Sequence, residues 1–361
     1  MLIERFEVFP LRLPLSRPFE TATGVIDVRR VAVLRVTAED GTIGLGEVTP
    51  YPDPRLDSLD DFVSVLESEA RTRLEGADIQ QTAALMDDLG GRLPSPALAA
   101  VDVALMDLHA RQLGVPLAEL FDRPARATVM VNATIAAADP NEAARQAATA
   151  AESGYRCLKI KVGLPDDDWR VAAIRDAVGY DVTLRLDANG AWYSREAIDN
   201  IRRLAEHGIE LIEQPVKAGD LQGMHVVRDE VLVPIVADEG VRDGDDLRKH
   251  IEFGACDGIA VKIAQVGGLA RANALVEQAE RAGMFTFLTS TLDGPVGLAA
   301  SLHFAASRKE IEVACGLATG ELFAETYATG LPSVVNGELR WTDAPGLGIE
   351  LDEDALVALA V

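Results

Sequence analysis

Val182-Thr183-Leu184-Arg185-Leu186-Asp187 is a short aliphatic, β-branched run that ends on a carboxylate. The run sets the architecture because others like it stand at a regular interval on either side. Cys157-Leu158-Lys159-Ile160-Lys161 places Lys161 26 residues earlier; Leu211-Ile212-Glu213 places Glu213 26 residues later. Ile235-Val236-Ala237-Asp238 follows after 25 and Ile259-Ala260-Val261-Lys262 after 24. Each interval is the length of one strand plus one crossover helix. Further strands are expected at 129–134, 285–289 and 312–315, with helices at 140–153, 194–207 and 268–283 among the gaps. Eight apolar strands with helical crossovers predict an α/β protein with a closed parallel barrel of the TIM type. An open doubly wound sheet is the structural rival, and its nucleotide-binding versions lose support because neither G-x-G-x-x-G after the first strand nor G-x-x-x-x-G-K-[ST] occurs.

The flanks read differently. Residues 2–14 and 29–37 alternate apolar and polar, as half-buried strands do. The stretch 19–24 between them reads as a polar loop, and Pro50-Tyr51-Pro52-Asp53-Pro54 as an irregular one. Helices are expected at 58–75 and 95–113, the second apolar on most faces and so buried. After about residue 330 the chain becomes turn-rich and is expected to return to the first unit. The 361 residues are thus expected to form an α+β unit over 1–125, completed by 326–361, around a barrel over 126–325.

Composition narrows the function. The 34 basic and 58 acidic side chains give a net charge of −24, which repels nucleic-acid phosphate and anionic membrane surfaces. The three cysteines show no metal or redox spacing, and the N-terminus carries charges where a signal peptide would be apolar. Among uncharged apolar runs none has membrane-spanning length. A reduced cytoplasmic setting is expected. Only 6 of the basic residues are lysines. GC-rich coding and adaptation to high salt both account for an acidic, lysine-poor surface.

Barrel chemistry sits at the C-terminal ends of the strands, so Lys161, Asp187, Glu213, Asp238 and Lys262 are expected in one mouth. One charge at a strand end is ordinarily the start of a solvated loop. Five in register, three carboxylates between two ammoniums, call for a divalent hard cation, and Mg²⁺ suits such oxygen ligands. Zinc does not fit, because His109, His207, His225, His250 and His303 all fall in helical stretches without ligand spacing. Lys159 and Lys161 are two apart on a strand and face the same way. Their mutual repulsion and burial would lower an amine pKa toward neutrality and supply a base; the alternative is that both merely neutralise carboxylates. A base beside a metal-held carboxylate suits removal of an α proton, with the developing oxyanion stabilised by the ion. A Schiff-base aldolase with Lys262 as nucleophile, and a non-catalytic ligand-binding protein, are the rivals from other classes.

Together, Lys159-Ile160-Lys161, Asp187-Ala188-Asn189-Gly190-Ala191-Trp192, Ile212-Glu213-Gln214-Pro215, Ala237-Asp238-Glu239 and Lys262-Ile263-Ala264-Gln265-Val266-Gly267-Gly268 resemble the enolase superfamily, muconate-lactonizing-enzyme subgroup. Gly44-Leu45-Gly46-Glu47, the stretch 102–108 and Gly346-Leu347-Gly348 extend the resemblance along most of the chain. It implies a modified (β/α)7β barrel with an α+β capping domain. It also implies Asp187, Glu213 and Asp238 as ligands of Mg²⁺ (or Mn²⁺ in its place), and Lys161 and Lys262 as the acid/base pair with Lys159 in support. Asn189 and Glu239 would orient these groups. The substrate would be a small carboxylate, contacted by Thr23, Tyr51, Asn132, Thr289, Ser290, Thr291 and Gly316, with the loops 19–24 and 49–54 closing over it. A homo-oligomer is expected. The mandelate-racemase branch would need a histidine near the seventh strand's end, where 287–291 has none. Dipeptide epimerases carry Asp-x-Asp at the eighth strand, where Gly316-Leu317-Ala318 stands. The stretch 313–323 is similar to o-succinylbenzoate synthases, so the first expectation is dehydration in menaquinone synthesis. N-acylamino-acid racemase, muconate cycloisomerase and dipeptide epimerase are the alternatives.

Overall fold

The protein is described by a computed structural model covering residues 1–21, 24–51, 58–121 and 125–361, with the side chains of 20, 21 and 24 left aside. Thr23, and parts of the 19–24 and 49–54 loops, lie outside the described residues.

Strands β1 (Ile3–Thr21), β2 (Gly24–Ala38) and β3 (Ile43–Val48) form an antiparallel sheet in that order. β1 lies at the edge, where Pro10, Pro14 and Pro18 are tolerated because a proline has no N–H to give to a ladder. Pairing resumes beyond a register shift at Pro14/Phe19 and runs from Phe19↔Ile26 to Thr21↔Gly24. Residues 19–21 and 24 of the expected loop are therefore hairpin arm, and the aromatic Phe19 suits a strand. The sheet is buried on both faces. Val31 and Val33 point into the core shared with the barrel, while Ala32, Leu34 and Val36 point into a second core with Phe62, Leu66, Leu98 and Leu105.

The helix Ser95–Leu113 crosses β3 closely enough that a Cβ at Gly44 or Gly46 would strike the Ala104 or Ala100 carbonyl. Two buried carboxylates knit this helix to distant elements. Asp102 accepts from the amides of Leu269 (2.5 Å) and Ala270 (3.3 Å) at the start of the barrel helix Leu269–Arg281. Asp107 accepts from the amides of Leu45 (2.9 Å) and Leu347 (2.7 Å), joining β3 to the C-terminal tail. The helix expected at 58–75 is present as Leu59–Val65 and Arg71–Leu74 joined by a π-helical turn, Leu66–Ala70.

Next in the chain come β4 (Thr128–Met130), β5 (Ala133–Ile135), β6 (Cys157–Lys161), β7 (Thr183–Asp187), β8 (Ile209–Glu213), β9 (Ile235–Ala237), β10 (Gly258–Val261) and β11 (Phe285–Leu288). β5 to β11 form one seven-stranded parallel sheet in sequence order. Helices such as Pro140–Glu152, Ser194–Leu204 and Leu269–Arg281 fill the gaps where expected. The run expected as a strand at 129–134 is split, because Val131 and Asn132 turn to meet Cys315.

The strand expected at 312–315 is reduced to two parallel bridges, Val131↔Cys315 and Thr289↔Gly316. Cys315 N donates to Met130 O and its carbonyl accepts from Asn132 N; Gly316 N donates to Leu288 O and its carbonyl accepts from Ser290 N. These four bonds close the ring. The residues before them are spent on a turn, with Ile311 N on Arg308 O and Glu312 N on Glu310 O, so no longer ladder forms. The outcome is the expected modified (β/α)7β barrel.

The tail supplies β12 (Ala328–Thr329), β13 (Glu338–Arg340) and β14 (Glu350–Leu351). β13 pairs with β4, whereas Leu359 O accepts from Arg12 N at 2.8 Å on β1, so the tail touches both parts. We retain 1–125 with 326–361, and 126–325, as the proposed domain division. Among the described residues no helix is long and apolar enough to cross a membrane.

Candidate active site

Register brings the charged strand ends together. Lys161 on β6 is the Cα partner of Asp187 on β7, and Asp187 that of Glu213 on β8. Asp238 and Lys262 follow directly on the last residues of β9 and β10. All lie at the C-terminal ends of parallel strands and therefore share one mouth. The three carboxylates are nearly fully buried. Burial of like charges is unfavourable unless cations answer them, and the lysines do so. Lys159 Nζ lies 3.0 Å from Asp187 Oδ2 and 2.5 Å from Glu213 Oε1. Lys161 Nζ lies 2.6 Å from the same Asp187 oxygen and donates to Asn189 Oδ1 at 2.7 Å. Lys262 pairs with Asp238.

These environments push the amines in opposite directions. Burial alone would lower the Lys159 pKa, but Asp187 and Glu213 overcome it and hold Lys159 above its ordinary value. The expectation that the lysine pair lowers this amine is thus corrected: the carboxylates of the neighbouring strands outweigh the second ammonium. Lys262 is lowered to about 8, chiefly by burial. Asp187 stays well below the ordinary carboxylate range, since Lys159 and Lys161 outweigh the desolvation that opposes ionisation. Glu239 is raised to about 7 by burial and then by the negative charge of Asp187.

Backbone conformation sets the carboxylates. Asn189 and Gln214 follow β7 and β8 in the left-handed region, with φ of 45° and 40°. Asn189 N donates to Asp187 Oδ1 at 3.0 Å. Buried Gln214 accepts from the amides of Asp238 (2.9 Å) and Gly240 (3.2 Å) through Oε1, which fixes the start of the loop carrying Asp238 and Glu239. Gln214 has no expected role from sequence. Its signal was its place directly after a site carboxylate.

Two cavities open at the mouth. One of about 230 Å³ is lined by Tyr51, Asp238, Glu239, Lys262 and Gln265, and so joins a capping residue to the charged set. The other, about 390 Å³, is lined by Arg17, Phe19, Asn132, Thr134, Gly316 and Thr319, among others. Of the expected substrate contacts, Tyr51 stands with the carboxylates, and Asn132 and Gly316 line the larger cavity. Thr289, Ser290 and Thr291 line neither of these two cavities. Thr289 packs on Gly316, Ser290 Oγ accepts from Asp293 N at 2.8 Å, and the Thr291 carbonyl accepts from Arg29 at 3.1 Å. The five histidines lie in helical segments, as expected.

Among the described residues no three His, Cys, Asp or Glu side chains already stand in a metal-holding arrangement, because Asp187, Glu213 and Asp238 close on lysines. Their chemistry nevertheless fits a hard cation: three buried carboxylates with oxygen donors only, on neighbouring strand ends, drawing an ammonium between Asp187 and Glu213.

Comparison with known proteins assigns the chain to a family. Residues 142–355 match the family described as enolase C-terminal domain-like, and 5–121 the mandelate racemase/muconate lactonizing enzyme N-terminal domain. An L-Ala-D/L-Glu epimerase of Clostridium acetobutylicum is 33% identical over 97% of this chain and 99% of its own. The crystal structure of N-succinyl Arg/Lys racemase from Bacillus cereus superposes with a TM-score of 0.95 at 29% identity, covering 100% and 98% of the two chains. That of a dipeptide epimerase from Enterococcus faecalis, complexed with Mg and the dipeptide L-Leu-L-Tyr, gives 0.92 at 31% identity, covering 97% and 100%. These relatives are epimerases and racemases, and they lend no support to the dehydration expected first. The chain is an enzyme of the enolase superfamily and belongs to its mandelate racemase/muconate lactonizing enzyme family.

Proposed function

We propose that the protein epimerises or racemises an N-acylated amino acid, by moving the proton on the carbon next to its free carboxylate. The observation that carries this reading is the pair Lys161 and Lys262, on strands that flank the three carboxylates from either side. A substrate held by its carboxylate between them presents its α carbon to two amines. Lys161 would take the proton on one face while Lys262 delivers one on the other, and the roles exchange for the opposite enantiomer. Lys159, held protonated by Asp187 and Glu213, keeps the site's charge balanced rather than serving as a base. Mg²⁺, with Mn²⁺ as substitute, is the proposed ion for Asp187, Glu213 and Asp238, where it would act as a Lewis acid on the substrate carboxylate.

The N-substituent would enter the larger cavity. A dipeptide's free ammonium would need an unengaged carboxylate there. Asp139 and Glu142 lie on its rim, but Asp139 accepts from Glu142 N at 2.8 Å, and Glu142 pairs with Arg145. Gly316, Leu317 and Ala318 add no charge. A neutral or anionic acyl group therefore suits this cavity better than an ammonium.

Incubation in D₂O with Mg²⁺ tests the reading, using N-acetyl and N-succinyl amino acids, dipeptides and muconate. Incorporation of one deuterium with loss of optical activity is expected for N-acyl substrates. Lactonisation of muconate without any exchange would overturn it.

A further inference from the structure

One buried arginine has no place in the reaction described above. Arg29, on β2, is 6% exposed. It reaches across the seam between capping sheet and barrel. Its Nη2 donates to the carbonyls of Pro50 and, at 3.1 Å, Thr291, and its Nε to that of Leu292 at 3.3 Å. The carboxylates of Asp293 and Glu47, both buried, answer its charge. Glu47 in turn accepts from Thr49 Oγ1 (2.6 Å), Gly294 N (2.7 Å) and the Tyr327 hydroxyl.

Two details show what this grip holds. Pro50 directly precedes Tyr51, which lines the cavity with Asp238, Glu239 and Lys262. The same segment is pinned a second time from the barrel, where Gln265 Nε2 donates to Thr49 O at 3.1 Å. On the other side, Leu292 is in the left-handed region with φ 60°, a conformation that a branched apolar residue keeps only when its surroundings enforce it. We infer that Arg29 is a positioning residue: by bridging Pro50 to Thr291 and Leu292 it sets Tyr51 over the carboxylate–lysine mouth and ties the capping sheet to the barrel.

Charge compensation alone would also account for an arginine beside two buried carboxylates, and the two roles separate experimentally. Lysine supplies the charge but cannot span three carbonyls in fixed planar geometry. The kinetic readout rests on the proton-transfer reading; the exchange readout does not. Arg29→Lys is expected to keep its thermal midpoint near that of the wild type. Backbone hydrogen–deuterium exchange should quicken in peptides covering 47–51 and 289–294 and nowhere else. Its kcat/KM for α-proton exchange should fall about tenfold to a hundredfold, as misplacement of a substrate-facing group does. In Arg29→Lys/Tyr51→Ala, kcat/KM should be no lower than in Tyr51→Ala alone. Wild-type exchange rates at 47–51 in Arg29→Lys, or rescue of activity by lysine but not by Arg29→Met, would overturn the inference. So would losses that multiply in the double variant. If the wild type moves no α proton on any substrate, the proposed reaction fails, and the exchange comparison still decides the role of Arg29.

Discussion

Lys161 and Asp187 are register partners on adjacent parallel strands, and their side chains meet at 2.6 Å. The same backbone pairing that closes the barrel therefore delivers a base and an acidic ligand candidate to one point. Lys262 stands beyond two further strands, beside Asp238. The first prediction follows from that two-sided placement. Lys161→Ala and Lys262→Ala should each lower the rate of α-proton exchange about 10²–10⁴-fold, the range for loss of a general acid or base. The loss should be selective for opposite enantiomers: each variant retains exchange on the enantiomer whose proton the remaining lysine faces. NMR of each enantiomer in D₂O checks this, and equal loss on both would contradict it.

Lys262 has its pKa lowered from 10.5 to about 8, largely by burial. Its neutral fraction falls about tenfold per pH unit below that value. For the enantiomer that Lys262 deprotonates, kcat/KM should rise with pH to a plateau above about 8, with the midpoint shifted by any bound cation. Stability moves the same way. Between the folded value of about 8 and the ordinary 10.5 the unfolded chain holds more protons, so unfolding free energy rises with pH across that window. A pH–rate profile and urea titrations at several pH values measure the two effects.

Chelation should separate activity from folding. The carboxylates are already answered by Lys159, Lys161 and Lys262, so the barrel does not depend on a metal for charge balance. EDTA is expected to abolish proton exchange while leaving the far-ultraviolet spectrum unchanged, with Mg²⁺ or Mn²⁺ restoring activity. Saturating Mg²⁺ should raise the thermal midpoint by mass action. Full activity in EDTA would remove the metal from the proposal.

Asp102 offers a stability test far from the chemistry. It accepts two amides at the start of the barrel helix Leu269–Arg281. Asp102→Ala should cost about 1–3 kcal/mol, because two buried N–H groups lose their acceptor. Asp102→Asn keeps an acceptor oxygen and should cost less. Burial raises this pKa from 3.8 to about 6. The folded chain therefore holds more protons between those values; the Asp102 contribution is full below 3.8 and declines as pH rises through 6. The Asn variant should lack that slope in urea midpoints measured from pH 4 to 7.

The barrel and its charged mouth were legible in the chain itself. Strand periodicity, the 24- to 26-residue spacing and the charge ending each run are local properties, and parallel pairing in sequence order turns that spacing into proximity. Local pattern also foretold the buried helix Ser95–Leu113. The eighth strand was not legible as it stands: 312–315 has strand composition, but its neighbours meet only Cys315 and Gly316. Nor were the opposed pKa shifts of Lys159 and Lys262, which depend on carboxylates brought in by other strands and on depth of burial. The seam of Arg29, Glu47 and Asp293 depended most on tertiary structure. More than 240 residues separate Glu47 from the Gly294 amide that it binds. Periodicity sets which face of a strand is buried, whereas a buried charge is placed by what folds against it.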